Sequence, residues 1–213
     1  MAATHYLAAI SLIDAAHAQD PNTHTSTNPA TKSTTTIPYE LHYARKMTHY
    51  LTAHSPILAA SPILAVAIRA QHFRRWEVPR SSYPATRAGY LAWRAFLKKR
   101  QAEGVERVCV EAGFAEGEAK EVGRLVRKEG LGRSGGDGDG NGEMQVLEDV
   151  ACLVFLDDQF EGFAFGDGGL DEDKVVGVLR KTWGKMSERG RELALQIPMS
   201  DACKELVGKA LAG

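Results

Sequence analysis

Apolar residues recur at helical spacing along most of the 213-residue chain, and the breaks between them are polar or rich in proline and glycine. Leu7, Ile10 and Ile13 form one such stripe and predict a helix over residues 4–19, ended by Asp20-Pro21-Asn22. Residues 23–36, a run dominated by Thr, Ser and Asn, read as a mobile, polar low-complexity loop. Leu41, Ala44, Met47 and Leu51 predict a second helix over 38–54, with Pro38 in its first turn. Ser61 and Pro62 supply the cap and first position of a third, running to about Trp76. Pro79 and Pro84 hold Val78 to Ala85 extended. Thr86 caps a fourth helix that reaches Ala112 and stops at Gly113, and a fifth covers 116–129. A second mobile loop, the Gly/Asp-rich stretch 130–143, precedes a strongly apolar sixth helix over 145–160. Asp171 caps a seventh, 172–196, with Val175, Val178, Leu179 and Trp183 inward; Pro198 ends it and a short helix closes the chain.

No segment combines strand periodicity with turn signals. Val150 to Leu156 comes nearest, but its flanking acids fit a buried helix better. The expected fold is all-α, a single compact multi-helix domain over 1–213 arranged as an orthogonal or bundle-like array. A composition of 44% apolar and 25% charged residues is that of an ordinary globular protein, long enough to bury a core without disulfides. The three cysteines, Cys109, Cys152 and Cys203, form no CxxC pair, which fits a reducing compartment. The N-terminus has no basic leader, no run of about 18 apolar residues exists, and a cytoplasmic protein without a membrane partner is expected.

The net charge of −1 conceals an asymmetry. Residues 69–107 hold ten Arg/Lys against three Glu, and residues 108–213 balance to −8. Such a block either meets an anionic ligand, docks on the acidic half, or is a solvated helix face.

The densest chemistry lies in Arg69 to Pro84. Helical spacing sets Ile68, His72 and Arg75 on neighbouring faces, so His72 borders the apolar stripe. Arg75, Arg80, Arg87 and Arg94 converge at the corner between the third and fourth helices, and guanidinium groups bind phosphate through paired hydrogen bonds. The plain alternative is a half-buried imidazole on a carbonyl and arginines in surface ion pairs. A second segment, Leu147 to Asp158, is apolar nearly all round and carries Glu148 and Asp149. A carboxylate buried there needs a metal, a cation or several hydrogen bonds, and it serves as a metal ligand, a general base or one half of a structural pair.

Two further strings match motifs. Asp137, Asp139, Asn141, Gly142 and Glu148 satisfy the EF-hand spacing, in which oxygens surround calcium and glycine makes the turn. Gly130 to Gly136 cannot supply an entering helix, and no second loop exists, so calcium at 137–148 is not expected. Lys185-Met186-Ser187 matches part of the KMSKS loop of class I aminoacyl-tRNA synthetases, but no HIGH-type motif or parallel sheet accompanies it, and synthetase activity is not expected.

Ile13 to Asn22, Arg69 to Pro84 with Arg87, Tyr90 and Trp93, Leu147 to Leu156, and Lys181 to Ser187 together resemble the fungal and bacterial domain-of-unknown-function family 4202, over nearly the whole chain. Some of its members carry a glutamyl-tRNA synthetase-like label, which the Lys-Met-Ser string alone does not support. In related sequences the Gly/Asp loop is shorter, and a His often stands near the position of Gln101. The family in turn is distantly similar to HD-type metal phosphohydrolases, which implies an HD-like helical array with His and Asp ligands on successive helices. Glu40 or His42, then His72, then Asp149 occur in that order, although His72-Phe73 lacks the adjacent Asp.

The resulting expectation is a metal-dependent phosphohydrolase acting on a phosphorylated small molecule or nucleotide. His72, Asp149 and Glu40 would hold a divalent ion that activates water. Arg75, Arg80 and Arg87 would bind the phosphate. Glu77 or Glu148 would accept the proton. The alternative is a non-enzymatic module that binds nucleic acid or a nucleotide through residues 69–107, with Tyr83, Tyr90 and Trp93 available to stack on bases.

Overall fold

The computed structural model describes residues 2–27, 31–56, 61–129, 140–166 and 170–212. At its centre is α3 (Pro62–Arg69), in which Leu64, Ala65, Val66, Ala67 and Ile68 are all buried. A helix apolar on every face must be enclosed on every face, and α3 packs against α1 (Ala2–His17), α2 (Tyr39–His54), α5 (Glu116–Arg127) and α6 (Gly140–Val154). The Ser61 hydroxyl accepts from Leu64 N and Pro62 follows it, so the start is as the sequence predicts. Its end is not. The chain leaves the helix after Arg69, and His72 and Arg74 adopt left-handed backbone (φ 66° and 50°) where the spacing predicts a continuous helix to Trp76. Two short 3-10 turns, Arg75–Glu77 and Arg80–Ser82, come next.

The long α4 (Arg87–Glu111) lies along α5. Thr86 caps it by accepting from Gly89 N at 3.1 Å. Gly89 is required there: any Cβ would run into the Pro84 carbonyl, which the loop brings back over the first turn. Past α6 the backbone widens into a π turn (Phe155–Gln159) before α7 (Phe160–Phe165). The expected helix over 172–196 is two, α8 (Glu172–Lys185) and α9 (Glu188–Ala194), because Ser187 stops one and caps the other. The chain closes with α10 (Asp201–Leu211), packed on α8.

The structure is 73% helical and mainly α. The first polar segment, however, is not a structureless loop. Thr23–Thr27 (β1) and Thr34–Pro38 (β2) pair antiparallel with Thr23 opposite Pro38 and His24 opposite Ile37. The other low-complexity stretch lies almost wholly outside the described residues, which resume at Gly140. No described helix is long and apolar enough to cross a membrane.

Candidate functional site

The Ile13–Asn22 segment builds the floor beneath the loop between α3 and α4. His17, fully buried at the end of α1, bridges the Glu40 carboxylate (3.2 Å from Nδ1) and the Arg69 carbonyl (3.1 Å from Nε2). Both ring nitrogens meet acceptors, so the imidazole ties the start of α2 to the end of α3. Asp20 accepts from the Glu40 backbone N–H and, through its other oxygen, from Asn22. The second Glu40 oxygen accepts from Trp76 N at 2.9 Å. The Arg69 guanidinium pairs with both Asp14 oxygens at 2.7 and 2.6 Å. Together these bonds hold residues 70–78 in their irregular path.

That path turns His72 and Arg75 toward a cavity of about 370 Å³ between the α3–α4 loop, α4, the end of α5 and the π turn. Four cationic side chains line it: Arg75, Arg94, Lys98 and Lys128. Among the described residues, no carboxylate does. Its walls are aromatic and amide: Tyr43, Tyr90, Trp93 and Phe155, with Gln71, Gln101 and Gln159. Tyr43 stacks on the His72 ring at 4.1 Å, and Arg75 lies over Trp93 at 4.8 Å while donating to His72 Nε2 at 2.9 Å. Burial, then the charges of Arg75 and Lys128, push His72 well below its ordinary range, so it is a neutral ring that accepts at Nε2. Burial and the neighbouring Arg94 and Lys128 also lower Lys98.

A second depression of about 410 Å³ shares His72, Arg75, Trp93, Tyr43 and Gln159 with the first and adds Glu40, Trp76 and Arg80. Two buried donors at these walls, Gln101 Nε2 and Trp76 Nε1, have no hydrogen-bond partner. Lys128, like His72, sits at positive φ (56°). Strained backbone and unmet donors are what a protein retains at a site that binds something.

The expected metal triad does not assemble. Among the described residues, the one group of three or more His, Cys, Asp or Glu whose ligand atoms lie within 4.8 Å of one another is His24, His42 and Asp158, not Glu40, His72 and Asp149. Glu40 is spent on His17 and Trp76. Asp149 is saturated: it accepts from His54 Nε2 (2.8 Å), Gln145 Nε2 (2.9 Å), Ser187 N (2.8 Å) and the Ser187 hydroxyl. Burial opposes its ionisation, but the hydrogen bonds from His54 and Ser187 hold its carboxyl below the usual range. It is therefore the structural carboxylate that fastens α9 to α6.

The expected proton acceptors are also committed. Glu77 pairs with Arg74 and Arg100, on a different cavity from His72. Glu148 bridges Lys128 at 2.6 Å and Lys185 at 3.2 Å. Burial works against its charge, yet the two ammonium groups keep it below the ordinary carboxylate range, which makes it a poor base. The remaining positions of the EF-hand spacing, Asp137 to Asn141, have side chains outside the described residues. Of the phosphate-binding set, Arg75 is in place. Arg80 donates to the carbonyls of Tyr83 and Pro84 and shapes the loop, and Arg87 is exposed at the start of α4, outside both cavity walls. Arg94, placed with them by the sequence, lines the cavity. Sequence reasoning misses Lys98 and Lys128; Lys98, one turn after Arg94 on the same helix, is legible by spacing.

The model of the family described as "Domain of unknown function (DUF4202)" matches residues 7–207, and the chain belongs to that family. No curated protein and no solved structure matches it.

Proposed function

We propose that the cavity binds a small phosphorylated molecule carrying a planar group, such as a nucleotide. One observation carries this reading: four cations and no described carboxylate surround an aromatic-walled space of about 370 Å³. A volume of this size suits a ligand of a few tens of atoms. Arg75, lying over Trp93, presents its guanidinium to a phosphate, and Lys98 adds a point charge beside Lys128, which is shared with Glu148. Tyr90 and Phe155 offer faces to a planar group, and the Gln101 and Trp76 N–H groups offer donors to its oxygens.

The phosphohydrolase reading adds a divalent ion and a proton acceptor to this binding site. With Glu148 paired to Lys128 and Lys185, and Asp149 saturated by His54, Gln145 and Ser187, binding is the part that the geometry supports. A nucleic-acid strand is the lesser reading, because four of the ten basic residues in the block are engaged internally, Arg69 on Asp14, Arg74 and Arg100 on Glu77 and Arg80 on carbonyls, and three more, Arg75, Arg94 and Lys98, line the cavity.

Isothermal titration of the full chain with pyrophosphate, AMP and ADP tests the proposal. Saturable binding near one equivalent, weakened by salt and by Arg75→Gln, is expected. Absence of heat and of any thermal shift with all three probes at millimolar concentration would overturn it, as would affinity confined to long polynucleotides.

A further inference from the structure

Away from this cavity, the hairpin makes one polar contact of a different kind. Along β1 (Thr-His-Thr-Ser-Thr) every residue is exposed except His24. His24 lies flat on His42 of α2, with ring centroids 3.6 Å apart and planes 10° apart. His42 Nε2 in turn is 2.6 Å from Asp158 Oδ1. Asp158 comes from the π turn, where one extra residue rotates the downstream helix by about 100°. Its other oxygen accepts from the Tyr39 hydroxyl at 3.1 Å, and Gln159 donates to that hydroxyl at 2.8 Å. Lys46 approaches Asp158 at 3.7 Å but is bonded to Asp157 at 2.7 Å.

We propose that His24, His42 and Asp158 form a binding site for one divalent transition-metal ion of the zinc class. Three segments distant in sequence bring one ligand atom each, all within 4.8 Å of one another. Two imidazoles and one carboxylate are the donor set that zinc and cobalt take, and three protein ligands leave a position for water or an anion. Asp158 already has the hydrogen-bonded support, from Tyr39, that orients a ligating carboxylate. A ring nitrogen donates in the plane of its ring, so the two stacked rings cannot serve one ion as they lie. One must turn, and His24 is the ring to do so, because His42 is already held on Asp158 at 2.6 Å. The ion then takes the place of the proton shared between His42 and Asp158.

Tag-free, chelator-treated full chain is titrated with Co²⁺, read by visible absorption, and then with Zn²⁺ in competition. One equivalent of Co²⁺ with d–d bands, displaced by Zn²⁺, is expected. His24→Ala and His42→Ala should each weaken binding by about 100-fold or more, since even outer-shell losses cost 10–100-fold. His49→Ala, at an exposed position on the same helix, should leave it unchanged. Circular dichroism establishes that each variant is folded. His24→Ala lies on the hairpin rather than in the core, so it decides the matter even where Asp158→Asn or His42→Ala fails to fold. Unaltered stoichiometry and affinity in His24→Ala, or no binding by the parent chain at micromolar ion, would overturn the proposal. Neither readout involves a phosphorylated ligand, so this site stands or falls apart from the cavity.

Discussion

Two polar clusters flank α6, and they have opposite characters. Around Asp149 every group that faces the carboxylate donates to it: an imidazole, an amide, a hydroxyl and a backbone N–H. Around the neighbouring cavity, Arg75, Arg94 and Lys98 line the wall without a carboxylate among them, Lys128 is shared with Glu148, His72 and Lys128 hold left-handed backbone, and two buried N–H groups lack acceptors. Both clusters look equally functional in the sequence, since each places charged groups among apolar ones. The difference lies in how the charges are met: the Asp149 oxygens are matched within the fold, even though His54 Nδ1 behind them has no partner. A buried charge matched by its own fold is there to hold elements together, whereas donors left open within one cavity require something from outside.

The largest effect lies on the satisfied side. Asp149→Ala strands His54, Gln145 and Ser187 without their acceptor, and chemical denaturation should show a loss of about 3–5 kcal/mol. Asp149 also gives the acid limb. Its folded pKa is depressed, so its contribution is complete above the unfolded value near 4 and is lost as pH falls through the lower folded value. The parent chain should therefore lose stability progressively below about pH 4, and Asp149→Asn should flatten that slope. Pyrophosphate affinity in the folded fraction should not change; a large drop would mean that the two clusters are one.

Next comes the close approach of α9. A Cβ on Gly190 would stand 2.7 Å from Asp149 Cγ and 2.8 Å from its Oδ1. Gly190→Ala must push the carboxylate off its donors and should cost about 1–3 kcal/mol in the same assay. A neutral outcome would show that Asp149 is not clamped. On the unsatisfied side, Arg75→Gln and Lys98→Gln should each weaken pyrophosphate by about tenfold, or about 1.4 kcal/mol. Titration calorimetry at two salt concentrations checks this, with the salt slope reduced in both variants.

The sequence conveys one side of this contrast better than the other. Caps at Ser61 and Thr86 are readable because a hydroxyl ahead of a proline or an apolar run has one local meaning. Arg94 is readable because it lies on a helix that forms as its spacing predicts, whereas His72 and Arg75 meet although the helix expected to carry them ends at Arg69. The hairpin is not: a Thr/Ser/Asn run with no apolar alternation carries no burial signal, and only pairing makes it β. The end of α3 is hidden because left-handed His72 and Arg74 override a pattern that locally favours helix. Asp149 reads as a metal ligand because its true partners, His54 and Ser187, lie 95 and 38 residues away. Gln145, one helical turn before it, is the available hint that its hydrogen bonds are internal.

The smallest effect is the sharpest, because the two clusters should give opposite signs. Methionine matches glutamine in length and flexibility but has no donor, so Gln101→Met removes an N–H that the cavity leaves unmatched. An unmet buried donor costs stability, so the variant should be as stable as the parent or more stable by up to about 1 kcal/mol. Loss of a group that donates to Asp149 should instead destabilise. The same N–H is one that a bound oxygen would accept, so pyrophosphate or AMP should bind Gln101→Met a few-fold more weakly although the protein itself is sturdier. Stability and affinity moving in opposite directions mark a group kept for a ligand. If Gln101→Met instead lost stability on the scale of Gly190→Ala, the amide would already be engaged within the fold, and the cavity would belong with Asp149 among the clusters that serve only to hold helices together.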